Sequence, residues 1–132
     1  MSNRVVHFEI HAVDPERVMA FYRDVFGWTF PRWMEVPPYW GVITGSEGSA
    51  AAGINGGLMQ RRGAAPGEGS PVNAYVCTVQ VDSYDETHDR IVKAGGTVAV
   101  GKQAITGMAW QGYYKDPDGN LFGVHQPDVN AR

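Results

Sequence analysis

His7, Glu9 and His11 alternate with Val6, Phe8, Ile10 and Ala12 over residues 4 to 12. A period of two is that of a half-buried strand, so the imidazoles and the carboxylate share one face and the apolar residues the other. Such a polar row can do two kinds of chemistry. It can contribute nitrogen and oxygen ligands to zinc, nickel or iron, or Glu9 can orient a histidine that exchanges a proton near neutral pH. The plainer expectation is a strand whose wetter face is simply polar. His125, near the other end of the chain, completes a set of His7, Glu9, His11 and His125 if the strands approach one another. Residues two apart on a strand are roughly 7 Å apart, so ligation of one ion by strand neighbours is not automatic.

Aromatic residues are the second chemical resource. The 132 residues include four Trp, more than one tight core usually needs. Trp33, Trp40 and Trp110 are candidates for the walls of an apolar, stacking pocket, with packing against helices as the alternative for each. Alternation places Trp110, Gly112 and Tyr114 on one face, with Gln111 and Tyr113 on the other. Cys77 alternates with Val79 and Val81, which predicts a buried, inert thiol. His88 lies amid Asp85, Glu86 and Asp89 on a helix, which predicts a solvated face. The glycines at 53, 56 and 57 lack the Lys and Ser/Thr of a phosphate loop.

The elements that must position these residues occur twice. A strand ending at Ala12 leads to Asp14, a helix cap followed by Pro15, and the helix ends at Gly27. Its apolar positions, Val18, Phe21, Tyr22, Val25 and Phe26, recur at helical spacing. A second strand, 73 to 81, leads through Asp82 to a helix from about Ser83 to Ala94 and to Gly95. From Asp14 to Asp82 and from Gly27 to Gly95 the offset is the same 68 residues. Such a repeat points to tandem duplication, with a cleft where the halves face each other.

Each half predicts three further strands. In the first they are 29 to 36, 39 to 44 and about 54 to 62, with Pro37-Pro38 as a turn and Gly56-Gly57 marking a bulge or a close backbone approach. In the second they are 97 to 104, 108 to 115 and 121 to 126, with a turn at Asp116-Pro117-Asp118-Gly119-Asn120. The expectation is an α+β fold, one domain of two β-α-β-β-β modules, residues 4 to 62 and 73 to 127, joined by a linker at 63 to 71. At this length the modules share one core.

Composition narrows the partners. Eleven Lys and Arg against 14 Asp and Glu, with no basic run, argue against nucleic acid and anionic membrane. A single cysteine forms no internal disulfide, and the start Met1-Ser2-Asn3-Arg4 reads as neither signal peptide nor membrane span, so a cytoplasmic location is expected.

The helix Asp14-Pro15-Glu16-Arg17-Val18-Met19-Ala20-Phe21-Tyr22-Arg23-Asp24-Val25-Phe26-Gly27-Trp28, the strand ending in Val81-Asp82, and Lys115-Asp116-Pro117-Asp118-Gly119-Asn120 together resemble the vicinal oxygen chelate superfamily. That superfamily contains glyoxalase I, bleomycin- and fosfomycin-resistance proteins and extradiol dioxygenases. Ile54-Asn55-Gly56-Gly57-Leu58-Met59 and Asn120-Leu121-Phe122-Gly123 resemble its glyoxalase-like group. The resemblance covers essentially the whole chain and implies a cupped mixed sheet with helices outside, often a homodimer, and a divalent ion held by four residues. Position by position, His7 matches the first ligand. Leu58, Val76 and Gly123 stand at the other three, and none has a side chain that can donate to a metal.

The expected function is therefore binding of a small aromatic or apolar molecule, with His7, Glu9, His11, Trp33, Trp40, Trp110 and His125 as candidate ligand-binding residues and no metal cofactor. Catalysis, if any, falls to His7 and Glu9. Two alternatives stand beside it. One is a metal-dependent lyase, isomerase or dioxygenase of glyoxalase type, using His7, Glu9, His11 and His125 to hold zinc, nickel or iron. The other is a structural or interaction domain.

Overall fold

A computed structural model describes residues 3 to 132. The described residues form two compact units, His7–Tyr75 and Val76–Arg132, the latter together with residues 3 to 6, where the first strand begins. Each has the order strand, helix, three strands, giving an α+β fold of two β-α-β-β-β units.

In the first unit β1 (Arg4–Ala12) is followed by α1 (Pro15–Phe26), β2 (Arg32–Met34), β3 (Tyr39–Val42) and β4 (Gly56–Gln60). The strand order is β2-β3-β4-β1. β1 and β4 are parallel, pairing Glu9 with Gly57, Ile10 with Leu58 and His11 with Met59. β3 is antiparallel to β4, opposing Tyr39 to Met59 and Gly41 to Gly57. Period-two alternation then sorts the side chains. Phe8, Ile10, Ala12, Val42 and Leu58 pack with Met19 of α1 as a buried core, while His7, Glu9 and His11 take the opposite face.

α1 begins and ends as its sequence requires. The Asp14 carboxylate accepts from the Arg17 backbone N–H at 3.2 Å, Pro15 occupies the first turn, and Gly27 closes the helix at φ 74°. Its apolar residues exceed what its sheet covers. Met19 is buried and Val18 and Tyr22 pack on the core, whereas Phe21, Val25 and Phe26 remain more than half exposed. β2 is shorter than the expected 29 to 36. Pro31 has no N–H for a ladder, and Thr29 keeps only an isolated bridge to Ile43.

The second unit contains β5 (Val76–Gln80), α2 (Tyr84–Lys93), β6 (Thr97–Ile105), β7 (Ala109–Lys115) and β8 (Leu121–Pro127), in the order β5-β8-β7-β6. β5 and β8 are parallel and the other pairs antiparallel. Val81, Tyr84, Tyr114 and Val124 form its core, with Val79, Ile91, Trp110 and Phe122 against them. The repeat is shifted by one residue at the helix start, because Ser83, not Asp82, caps α2 by accepting from Glu86 N–H. The turn before β8 is held by Asp116, whose carboxylate accepts from the backbone N–H groups of Asp118 and Asn120 and from the Asn120 amide. Those bonds, the Asn120 side chain first, hold the Asp116 carboxyl below its usual range.

Two expectations are corrected here. Cys77 is exposed, although it alternates with the half-buried Val79 and the buried Val81. His88 is partly buried, its Nδ1 at 2.9 Å from the Tyr114 hydroxyl, because one edge of α2 packs over β7. Among the described residues no helix is long and apolar enough to cross a membrane.

Candidate functional site

The polar face of the first unit is organised around Glu9. Only 5% of Glu9 is exposed, and a carboxylate so enclosed must be hydrogen-bonded. One oxygen accepts from the Tyr39 hydroxyl at 2.9 Å and the other lies 2.8 Å from His11 Nε2. The Tyr39 oxygen is in turn 3.2 Å from His7 Nε2. A tyrosine has one proton. If Tyr39 gives it to Glu9, His7 must donate Nε2–H to Tyr39, and the lone pair of its ring then resides on Nδ1.

Electrostatics agrees with that arrangement. Burial lowers the proton affinity of His7 below the ordinary histidine value, and the Glu9 charge opposes the shift only in part. A neutral imidazole with an available lone pair is what a general base requires.

Glycine is what allows Tyr39 to reach Glu9. β4 lies between β3 and β1, and Gly57 is the β4 residue directly beside Glu9. The Tyr39 hydroxyl occupies the place where a Cβ at position 57 would stand, so any side chain there would collide with it. Gly41, opposite Gly57, is covered in the same way by the Trp33 indole. Trp33 and Tyr39 then stack nearly parallel, with centroids 6.3 Å apart and planes at 17°. The product is a polar chain, His7-Tyr39-Glu9-His11, flanked by a half-exposed aromatic wall.

The other sequence candidates have their own surroundings within each unit. Trp40 does not join Trp33, because it alternates with Tyr39 onto the core side, where the Arg32 guanidinium lies 4.8 Å from its ring centroid. Trp110 belongs to the α2 core with Tyr114; its indole N–H donates to Asp128 and Lys102 lies over its ring. His125 is in the second unit, with Nδ1 2.7 Å from the Gln111 carbonyl oxygen, and its register neighbours are Gln80 and Gln111. Gly123 lies on the same face beside Thr78 and Gln111. Leu58 does not face the polar row: it is wholly buried in the core, and β4 presents Gly57 and Met59 to that row instead. The sequence reading missed Tyr39, whose role depends on a vacancy in a neighbouring strand. The Gly56-Gly57 pair was the available signal.

The sequence profile of the Glyoxalase/Bleomycin resistance protein/Dioxygenase superfamily matches residues 4–124. The chain belongs to that superfamily. Solved members share its fold at low identity. A superfamily member from Vibrio splendidus 12B01 is 17% identical, with a TM-score of 0.64 over 95% of this chain and 99% of its own. Methylmalonyl-CoA epimerase from Mycobacterium tuberculosis is 16% identical, with a TM-score of 0.63 over 94% and 87%. The Mn(II)-bound glyoxalase from Novosphingobium aromaticivorans is 22% identical, with a TM-score of 0.57 over 98% of this chain and 40% of its own. No curated protein matches the chain.

Members of the superfamily often use divalent metals. The polar row of the first unit does not by itself supply the four-ligand set for such an ion. His7 Nε2 is directed at Tyr39, both Glu9 oxygens serve Tyr39 and His11, and β4 offers no carboxylate. Among the described residues no group of three or more His, Cys, Asp or Glu side chains is placed to hold a metal.

Proposed function

We propose that this superfamily member binds a small molecule on the polar face of its first unit without the usual four-ligand metal site. A hydroxyl, amine or carbonyl of the ligand would join the His7-Tyr39-Glu9-His11 chain, and an aromatic or apolar body would lie against Trp33. The observation that carries this reading is Tyr39 crossing Gly57 to bond Glu9, on the strand where the resemblance placed a ligand position at Leu58. The proposal includes a cytoplasmic homodimer, the latter checked by sedimentation velocity.

The test is thermal stabilisation across a panel of phenols, aromatic amines and aryl ketones. Saturable stabilisation that is lost in Trp33→Ala and weakened in Tyr39→Phe supports the reading and removes the purely structural alternative. Stoichiometric zinc, nickel, iron or manganese in protein purified without chelators, lost in His7→Ala, would overturn it.

One observation favours catalysis as a second reading: the neutral imidazole of His7, held by Tyr39. His7 would take a proton from a bound ligand, with Tyr39 and Glu9 orienting the ring. Deuterium incorporation from solvent into a bound carbon acid, abolished in His7→Gln, is the expected result. Incorporation that persists in that variant rules the role out.

A further inference from the structure

An open pocket of about 500 Å³ lies in the first unit where β1 ends and α1 begins, lined by His11 but by neither Trp33 nor Tyr39. Its walls combine Arg17 and Arg61 with Val18, Phe21 and Tyr22. Arg61 is held in place twice. Its backbone N–H donates to the Ala12 carbonyl at 2.8 Å, continuing the ladder beyond β4, and its Nη2 donates to the His11 carbonyl at 2.9 Å. Its Nε is fully enclosed and bonds to nothing among the described residues.

Neither arginine has a carboxylate within ion-pair distance among the described residues. The one acidic group in the cavity wall, Asp14, is engaged in capping α1 through the Arg17 backbone N–H. The pocket wall therefore carries two arginines and one carboxylate, the latter already engaged by a backbone N–H. A half-buried guanidinium that lacks an anionic partner is an arrangement that an incoming oxyanion would complete. Phe21, 57% exposed, and Tyr22 give that oxyanion's body an aromatic surface to lie on.

We propose that this cavity is a second ligand site, for a small molecule with a carboxylate or phosphate on an aromatic or apolar body. It goes beyond the function proposed for the Tyr39 face, with which it shares the His11 side chain, and its anion-binding arginines are no part of that face. Arg17 and Arg61 bind the oxyanion, and Val18, Phe21 and Tyr22 the body. Carboxylates and phosphate esters offer the same oxygen pair to a guanidinium, so the experiment separates them.

Calorimetric titration of the full chain with phenylacetate, phenyl phosphate, inorganic phosphate and benzyl alcohol tests the assignment. Saturable binding of phenylacetate, phenyl phosphate or both is expected, weakened about tenfold or more in Arg17→Gln and in Arg61→Gln and unchanged in Tyr39→Phe. Whichever anion binds more tightly identifies the source. Arg17 is exposed on the helix surface, so Arg17→Gln carries the test should Arg61→Gln fail to fold. Equal binding of benzyl alcohol, inorganic phosphate binding as tightly as phenyl phosphate, indifference to Arg17→Gln, or no saturable binding below about 5 mM each overturns the proposal. Loss of binding in Tyr39→Phe with Arg17→Gln unaffected would assign the probes to the other face.

Discussion

Glu9 is a negative charge kept out of water by design of its neighbours, and its cost is offset by the hydrogen bonds that Tyr39 and His11 supply. Removing one donor should expose that cost. Tyr39→Phe is expected to destabilise the fold by about 1 to 3 kcal/mol, read from urea unfolding, although it deletes a single oxygen. His7 gives a pH-dependent counterpart. Its folded-state proton affinity is depressed, so the unfolded chain binds the proton at higher pH than the folded one. Stability attributable to His7 is thus fully present above the unfolded value near 6.5 and falls as pH drops through that value to the lower folded one. Unfolding measured at about pH 7.5 and 5.5 should show this loss in the parent and less of it in His7→Gln. An equal loss in both would assign the acid sensitivity to other groups.

At the scale of elements, the two helix-strand units were readable because each rests on local rules. Asp14 and Pro15 start α1 and Gly27 stops it, and the β1 alternation separates Phe8 and Ile10 from Glu9. Asp14→Ala should therefore cost about 1 kcal/mol, visible as a lower Tm, with the β1 register unchanged. The candidate site was legible only in part. His7, Glu9 and His11 could be placed on one face by period alone, but Tyr39 meets them through a strand pairing that no local pattern encodes. Leu58 shows the same limit: the register of β4 against β1, one residue from the spacing-based alignment, decides whether a side chain faces the core or the polar row. Trp40 and Trp110 were candidates by type, and the cores of their units claimed them because a buried apolar surface draws large rings irrespective of any ligand. Cys77 went the other way, exposed near the start of its strand where alternation alone predicts burial.

For the molecule as a whole, superfamily membership fixes the architecture while leaving the chemistry to the side chains. On the metal-free reading proposed above, dialysis against a chelator leaves Tm within about 1 °C, because no ion then contributes to the folded state. A drop of several degrees, restored by one particular divalent ion, would return the protein to the metal-dependent branch. Gly57 and Tyr39 bear on how such branches separate. The two residues are interlocked: a carboxylate cannot appear at position 57 while the tyrosine lies across it, and the tyrosine has no route to Glu9 once position 57 carries a side chain. Single substitutions at either place should be harmful, yet Gly57→Ala should be far better tolerated in a Tyr39→Ala background. Exchange of the tyrosine bridge for a side chain at position 57 would then have to pass through a singly altered, less stable intermediate, which makes the present arrangement hard to leave one mutation at a time.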